Sequence, residues 1–370
     1  VSSKKYRVGI IGFGHMHINN VAALYDAHPQ VEWVACADTV PLRPELRKAP
    51  YTREWNKDFV MERTGLNKAY DDYREMLEKE TFDIVIVTTE NAQHPDVVEA
   101  CAAAGAHVCV EKPMARNLED ALRMARACKA AGTKLIVNWP MTWSPQARKL
   151  KDLIAEGVIG RVLEVKLRNG HNGPLGSGVG HEGVDGEAAP MSGVERGATW
   201  WHQEEAGGGA MRDFCCYGCM VSRWYIGEQA VAAVGMRANL NSHWGTADDN
   251  GAMIVRFPRA MALLEGTWTT RDHGVPAGPI VYGTEGTLVA DKNKDGAPII
   301  RLERGHGDTT IYEVEPLPEG QHDVAHAFIH HLETGEPLHP SLELGFNLDV
   351  IAILDAGVKA ATTGKLETVD

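Results

Sequence analysis

The residues of this chain that could do chemistry begin at a strand-to-helix turn. Gly12-Phe13-Gly14-His15-Met16-His17 follows the apolar run YRVGII (6–11) and opens a segment with helical spacing. The first glycine permits a tight turn. The second lets a pyrophosphate approach the backbone N–H groups at the helix start. His17 stands where the usual third glycine or alanine would be. Asp38 closes the next strand-like run, WVACAD (33–38). A carboxylate there bonds ribose hydroxyls and repels a 2′-phosphate, and the following Thr39 and Val40 supply no cation. The pattern predicts NAD as cofactor, with NADP disfavoured.

A second set of residues suits proton transfer. Glu111-Lys112-Pro113 ends the strand-like run HVCVE (107–111). Ligands of open parallel sheets sit beyond the C-terminal ends of the strands, which makes Lys112 a candidate catalytic lysine. Tyr217 lies in a helix-like segment, 209–226. Oxidising an alcohol means removing the hydroxyl proton while hydride leaves the carbon. A tyrosine with its ordinary pKa of about 10 is a poor base at neutral pH. A lysine ammonium beside it favours the phenolate, so Lys112 is expected to lower the Tyr217 pKa. Which of the two takes the proton is not readable from the residues.

Five motifs occur in one order along the chain. They are the glycine turn at 12–17, Thr88-Thr89-Glu90-Asn91-Ala92-Gln93-His94, Glu111-Lys112-Pro113, Gly207-Gly208-Gly209-Ala210-Met211-Arg212-Asp213 with Tyr217, and Gly283-Thr284-Glu285-Gly286-Thr287-Leu288. Together they resemble the Gfo/Idh/MocA oxidoreductases over nearly the whole chain. The resemblance is nearer to the glucose–fructose oxidoreductase and dihydrodiol dehydrogenase branches, which carry tyrosine at the acid/base position. It implies that Lys112, Tyr217 and Asp213 are catalytic. It also implies that Gly12, Phe13, Gly14, His15, Met16, Asp38, Thr89, Asn91, His94, Glu111 and Lys112 surround the cofactor. Lys112, Asp213 and Tyr217 would hold the substrate as well. Two departures stand out: Cys215 replaces the usual glycine, and Met220 replaces the second acid expected after the tyrosine. They argue against a cyclitol bound through that acid.

Other signals are weaker. Trp139, Trp201 and His202 could form a pocket wall, since indole rings suit the apolar faces of sugars and histidine suits their hydroxyls. Cys215, Cys216 and Cys219 lack the paired spacing of a structural zinc site. His322, His326 and His330 share a helix face, which is read as solvated or packed. No metal is expected. The glycine-rich stretch 170–197 could be a lid or an oligomer contact.

The elements that must position these residues alternate at first. Strand-like runs near 6–11, 33–38, 82–89, 107–111 and 134–138 are separated by helix-like segments, with residues 41–57 read as a surface excursion. Such alternation predicts an N-terminal Rossmann domain, a doubly wound parallel sheet, over residues 1–140. Residues 141–370 are expected to form an α+β domain on a large, mostly antiparallel open sheet. Its C-terminal helix, 343–361, would pack back on the first domain.

The chain has 370 residues and a net charge of −13. That acidity argues against a nucleic-acid partner. No apolar run reaches the roughly 18 residues of a membrane span, and no secretory signal is visible. Seven cysteines fit reduced thiols in a cytoplasmic protein. The expected activity is NAD(P)-dependent hydride transfer to or from a secondary alcohol of a carbohydrate. Two alternatives are an oxidoreductive, NAD-dependent glycoside-cleaving enzyme and a cofactor-bound sensor without turnover. A homodimer or homotetramer through the second sheet is expected.

Overall fold

The computed structural model describes residues 4–176, 190–271, 276–318 and 322–369. The first part of the chain runs β1 (Tyr6–Ile11), α1 (Ile18–Ala27), β2 (Val31–Ala37), α2 (Arg53–Thr64), β3 (Ala69–Tyr70), α3 (Tyr73–Lys79), β4 (Ile84–Val87), α4 (His94–Ala103), β5 (His107–Glu111), α5 (Leu118–Ala131) and β6 (Leu135–Asn138). Its strands form one parallel sheet in the order β3-β2-β1-β4-β5-β6. All four residues of β4 are buried, as a central strand covered on both faces requires. The strand order reverses between β1 and β4, and the loops after these strands form the crevice where such sheets bind ligands. Helix α5 shows how local sequence sets the elements. Asn117 caps its N-terminus by accepting Asp120 N–H, and Gly132 ends it at φ 71°.

The expected excursion at 41–57 ends earlier than its charge and proline content suggest. Helix α2 begins at Arg53, after Thr52.

The second part contains α6 (Pro145–Ala155), β7 (Val162–Gly170), α7 (Gly193–Gly197), a π-helical turn (Met211–Cys215), α8 (Cys216–Ile226), β8 (Ala232–Ala238), β9 (Asn250–Arg256), β10 (Met261–Thr267), β11 (Ile280–Gly283), β12 (Thr287–Lys292), β13 (Pro298–Gly305), β14 (Asp308–Glu313), α9 (Val324–Thr334), α10 (Leu344–Thr363) and β15 (Glu367–Thr368). A nine-stranded sheet runs β14-β13-β12-β11-β7-β10-β9-β8-β15. Its pairs are antiparallel except β7 with β10, which run parallel. Of the glycine-rich stretch, residues 177–189 lie outside the described residues, and the expectation of a lid there falls largely on them.

Alternation along β5 divides the core. Cys109 joins a cluster with Ile10, Ile86, Ile136 and α1, closed by Phe328 and Ile329 of α9. Val108 and Val110 face the other way, into a cluster that runs through Trp139 to the second sheet. The late helices therefore return to the first sheet. Helix α9 packs on α1, and α10 is tied to α5 where Asp355 Oδ2 accepts Leu118 N–H at 3.2 Å.

Candidate active site

Lys112 follows β5 with the parity of Val108 and Val110, so its side chain enters the space toward the second sheet. It is buried, and its peptide bond to Pro113 is cis. The Lys112 Nζ donates to Asp213 Oδ1 at 2.6 Å and to the Asp213 carbonyl at 3.2 Å. Asp213 sits in the π-helical turn before α8, a wound-out geometry frequent at functional sites. Its other oxygen, Oδ2, accepts Trp268 Nε1–H at 3.0 Å. Trp268 is delivered by the parallel β7–β10 pair, which ends at Gly170 opposite Thr267. His171 leaves the same end of β7. Its ring meets Phe214 edge-on at 5.0 Å, and its Nδ1 is enclosed with no hydrogen-bond partner among the described residues.

Burial alone would push the Lys112 ammonium toward its neutral form. Asp213, helped by Tyr217, Cys216 and Glu111, outweighs that and holds Lys112 well above the ordinary lysine range. Burial likewise pushes Asp213 up, and Lys112 reverses it, so the carboxyl lies below its usual range. The pair is an ammonium and a carboxylate at neutral pH.

Tyr217 departs from the expectation. Lys112 Nζ lies over its ring, 4.8 Å from the centroid, while its hydrogen bonds go to Asp213. Burial raises the Tyr217 pKa, and the opposing pull of Lys112 is too small to reverse it. The net shift is upward, not downward, because the phenol is enclosed by Trp139 (5.8 Å, edge-on) and Phe214 (6.4 Å, stacked). Tyr217 is neutral at pH 7.

The other expected residues separate into two groups. His15, Asn91, Trp201 and Asp213 line one small enclosed space with Pro113, Trp200 and the triple glycine. Gly207 is required there: its φ is 83°, and a Cβ would lie 2.7 Å from Asn91 Cβ. Trp139 and His202 line no open wall. Trp139 is buried and donates to Asn347 Oδ1 at 2.7 Å, so it backs Tyr217. His202 is buried between Trp244 and Trp268, and burial pushes its pKa down to about 3. His94 Nδ1–H donates to the Met114 carbonyl (3.0 Å) and braces the turn after Lys112.

The glycine turn fits a dinucleotide. Gly12 has φ 95°, and a Cβ would press into Thr89 at 2.4 Å. Phe13 N–H donates to Asp38 Oδ1 at 3.3 Å, fixing the acid beside the turn. Asn91 Oδ1 and His94 Nε2 are enclosed without partners among the described residues, acceptor and ring nitrogen in the region where the nicotinamide end would lie.

Arg53 is a residue that reading the sequence missed. Its guanidinium bridges Asp38 Oδ1 (2.5 Å) and Glu90 Oε1 (2.6 Å), and its backbone N–H donates to Glu45 Oε2 (2.9 Å). A cation therefore does stand beside Asp38, contributed by the start of α2. Burial lifts Glu45 to about 7 and raises Glu90, with Arg53 opposing both.

A parallel sheet with a glycine turn at its switch point, and a buried lysine–carboxylate pair beyond β5, define a dinucleotide-binding oxidoreductase. Residues 6–139 match the oxidoreductase family described as having an NAD-binding Rossmann fold, and residues 147–289 match the GFO/IDH/MocA C-terminal domain. The chain belongs to the GFO/IDH/MocA oxidoreductase family. It is 24% identical over 342 residues to a myo-inositol 2-dehydrogenase of Thermotoga maritima, covering 90% of this chain and 89% of that one. It is 28% identical over 312 residues to a 1,5-anhydro-D-fructose reductase of Ensifer adhaerens, covering 83% and 85%. A levoglucosan dehydrogenase solved with NADH and levoglucosan shares the fold, with a TM-score of 0.75, 21% identity and coverage of 99% and 100%. Among the described residues, no helix is long and apolar enough to cross a membrane.

Proposed function

We propose that the chain transfers hydride between NAD and a secondary alcohol of a sugar or sugar derivative. The observation that carries this reading is the buried Lys112–Asp213 pair, 2.6 Å apart, at the C-terminal end of the parallel sheet. Relatives named for inositol, anhydrofructose and levoglucosan support the substrate class.

The turn opened by Gly12 and running through Gly14 to Met16 would cradle the pyrophosphate at the start of α1, and Asp38 would hold the ribose. The Phe13 and His15 N–H groups shape that turn instead, donating to Asp38 Oδ1 and to the Thr88 carbonyl. Thr89, Asn91, His94 and Lys112 would surround the nicotinamide, with Glu111 behind them, held by His17 and Asn138. Bound NAD supplies the hydride acceptor or donor. Lys112 donates a hydrogen bond to the substrate oxygen and stabilises the negative charge that develops on it. Asp213 keeps Lys112 charged and aimed. In reduction the neutral Tyr217 phenol would give a proton to that oxygen. In oxidation Tyr217 must first lose its own proton, and the phenolate would then take the one from the substrate hydroxyl. Trp201 and His202, nearly inaccessible, exclude water around the reacting atoms.

The open face of the nine-stranded sheet is proposed to join two or four copies. Met236 is 77% exposed there, beside the partly exposed Val234, Ile254 and Met261. All seven cysteines are free and buried, which supports a reducing, cytoplasmic setting.

The test is a screen of monosaccharides, cyclitols and glycosides with NAD, following the absorbance of the reduced cofactor. At least one should give turnover that Lys112→Met abolishes while cofactor binding persists. No turnover with any of them, or a fully active Lys112→Met enzyme, would overturn the proposal.

A further inference from the structure

The histidines of the glycine turn are not used by dinucleotide binding, which needs only backbone N–H groups there. Alternation along β5 sends Glu111 to the face opposite Lys112, toward the start of α1. His17 Nδ1 meets Glu111 Oε1 at 2.8 Å, and Asn138 Nδ2 donates to Glu111 Oε2 at 2.8 Å. The Glu111 side chain is fully buried and His17 is 17% exposed. One histidine would satisfy the carboxylate. A second, His15, brings its buried ring to 4.3 Å from that of His17, and one ligating atom from each of the three residues lies within 4.8 Å of the others.

We infer that His15, His17 and Glu111 form a binding site for a divalent transition-metal ion, zinc in the first instance. Two imidazoles and one carboxylate are the protein ligand set of open zinc sites, which keep a further position for water or another oxygen donor. Bonds of about 2.0–2.1 Å at a tetrahedral ion set ligand atoms about 3.3 Å apart. To admit the ion the His17–Glu111 separation needs to open by about half an ångström, and the His15 nitrogen, within 4.8 Å of the other two ligand atoms, to close in by up to about 1.5 Å. Asn138 supplies the outer hydrogen bond that orients a ligating carboxylate. A surface groove of about 610 Å³ lined by His17 and Asn138 gives the ion a way in. The ion would clip the glycine turn to the strand that carries Lys112, next to the enclosed space that His15 shares with Asp213.

The test is made on the full chain, stripped with a chelator and retitrated with Zn²⁺ against a chromogenic competitor. A Co²⁺ titration read by visible absorption accompanies it and needs no variant. About one equivalent of Zn²⁺ should be lost in His15→Ala and in His17→Ala. Asn138→Ala should weaken it about 10- to 100-fold. His326→Ala, in a separate surface cluster with His322 and Asp323, should keep it. Co²⁺ should give the intense visible bands of a four- or five-coordinate site. Three results would each overturn the assignment: affinity no tighter than millimolar in the wild-type chain, a Co²⁺ spectrum like that of the hydrated ion, or binding lost in His326→Ala and kept in His17→Ala.

Discussion

Replacing Asp213 by Asn leaves the Lys112 ammonium buried without a counter-charge. Only neutral acceptors (the new amide oxygen and the backbone carbonyl of the same residue at 3.2 Å) and the Tyr217 ring face at 4.8 Å then support it. Removing one partner of a buried ion pair costs about 3–5 kcal/mol. At about 2.1 cal/mol/K per residue, a chain of 370 residues unfolding as one unit has an unfolding entropy near 0.8 kcal/mol/K. The expected loss in Tm is therefore about 4–6 °C. Lys112→Met should lose a similar amount, because it strands the Asp213 carboxylate with the Trp268 N–H alone. The double variant Lys112→Met/Asp213→Asn has no buried charge left at this point and should recover most of the loss. Turnover should stay abolished in all three. Denaturant unfolding followed by tryptophan fluorescence, alongside the hydride-transfer assay, separates the two effects. The pH dependence has a definite sign. The depressed Asp213 pKa contributes stability above about pH 4 that is lost as pH falls through the folded pKa. The raised Lys112 pKa contributes stability below about pH 10.5 that is lost as pH rises through the folded pKa. A double variant whose loss equals the sum of the two single losses would refute the coupling.

Tyr217→Phe should lower turnover by about 10²–10⁴-fold and flatten the alkaline rise of alcohol oxidation. In the wild type that rise should continue well above pH 8, since burial raises the phenol's pKa. Arg53→Ala should sharpen discrimination against NADP by about tenfold, or about 1.4 kcal/mol, because Asp38 then faces a 2′-phosphate without its guanidinium partner. Paired KM values for NAD and NADP measure it, and an unchanged ratio would remove Arg53 from cofactor selection. Met236→Arg on the open sheet face should shift the chain toward the monomer in sedimentation, while an unchanged assembly would place the interface elsewhere.

The parts of the site that were legible in the sequence are those set by local geometry. The β-branched run at 82–89 announces a buried parallel strand, HVCVE reads as the next one, and Lys112 follows at its end. The glycine turn and Asp38 are equally local, each at the end of a strand. What the sequence hid arrives through register and long-range charge pairing. Trp268 reaches Asp213 because β10 lies parallel to β7, and no periodicity predicts which two strands pair that way. Arg53 sits in a charged, proline-containing stretch that reads as surface, yet its guanidinium is enclosed between Asp38 and Glu90. Trp139 and His202 have side chains suited to a sugar pocket, but a residue type does not state its exposure. Both are held by neighbours from distant segments, Asn347 for one and Trp244 and Trp268 for the other.

The reversal at Tyr217 follows from the order of two opposing terms. A lysine near a phenol lowers its pKa only if the ammonium's charge is not already taken and the phenolate can be solvated. Here Lys112 is neutralised by Asp213 and meets the ring face instead of being spent on the hydroxyl, while Trp139 and Phe214 enclose the phenol. Desolvation then dominates. The resting site holds an ammonium, a carboxylate and a neutral phenol, which are the states suited to giving a proton to a developing alkoxide. Oxidation of an alcohol must run the same groups backwards, and Tyr217 can accept the proton only once substrate oxygen has drawn Lys112 away from Asp213. A bound substrate would thus lower the Tyr217 pKa by freeing Lys112, which couples proton transfer to correct placement of the hydroxyl. The Lys112–Asp213 hydrogen bond would enforce this coupling by withholding the ammonium from Tyr217 until the substrate hydroxyl is in place.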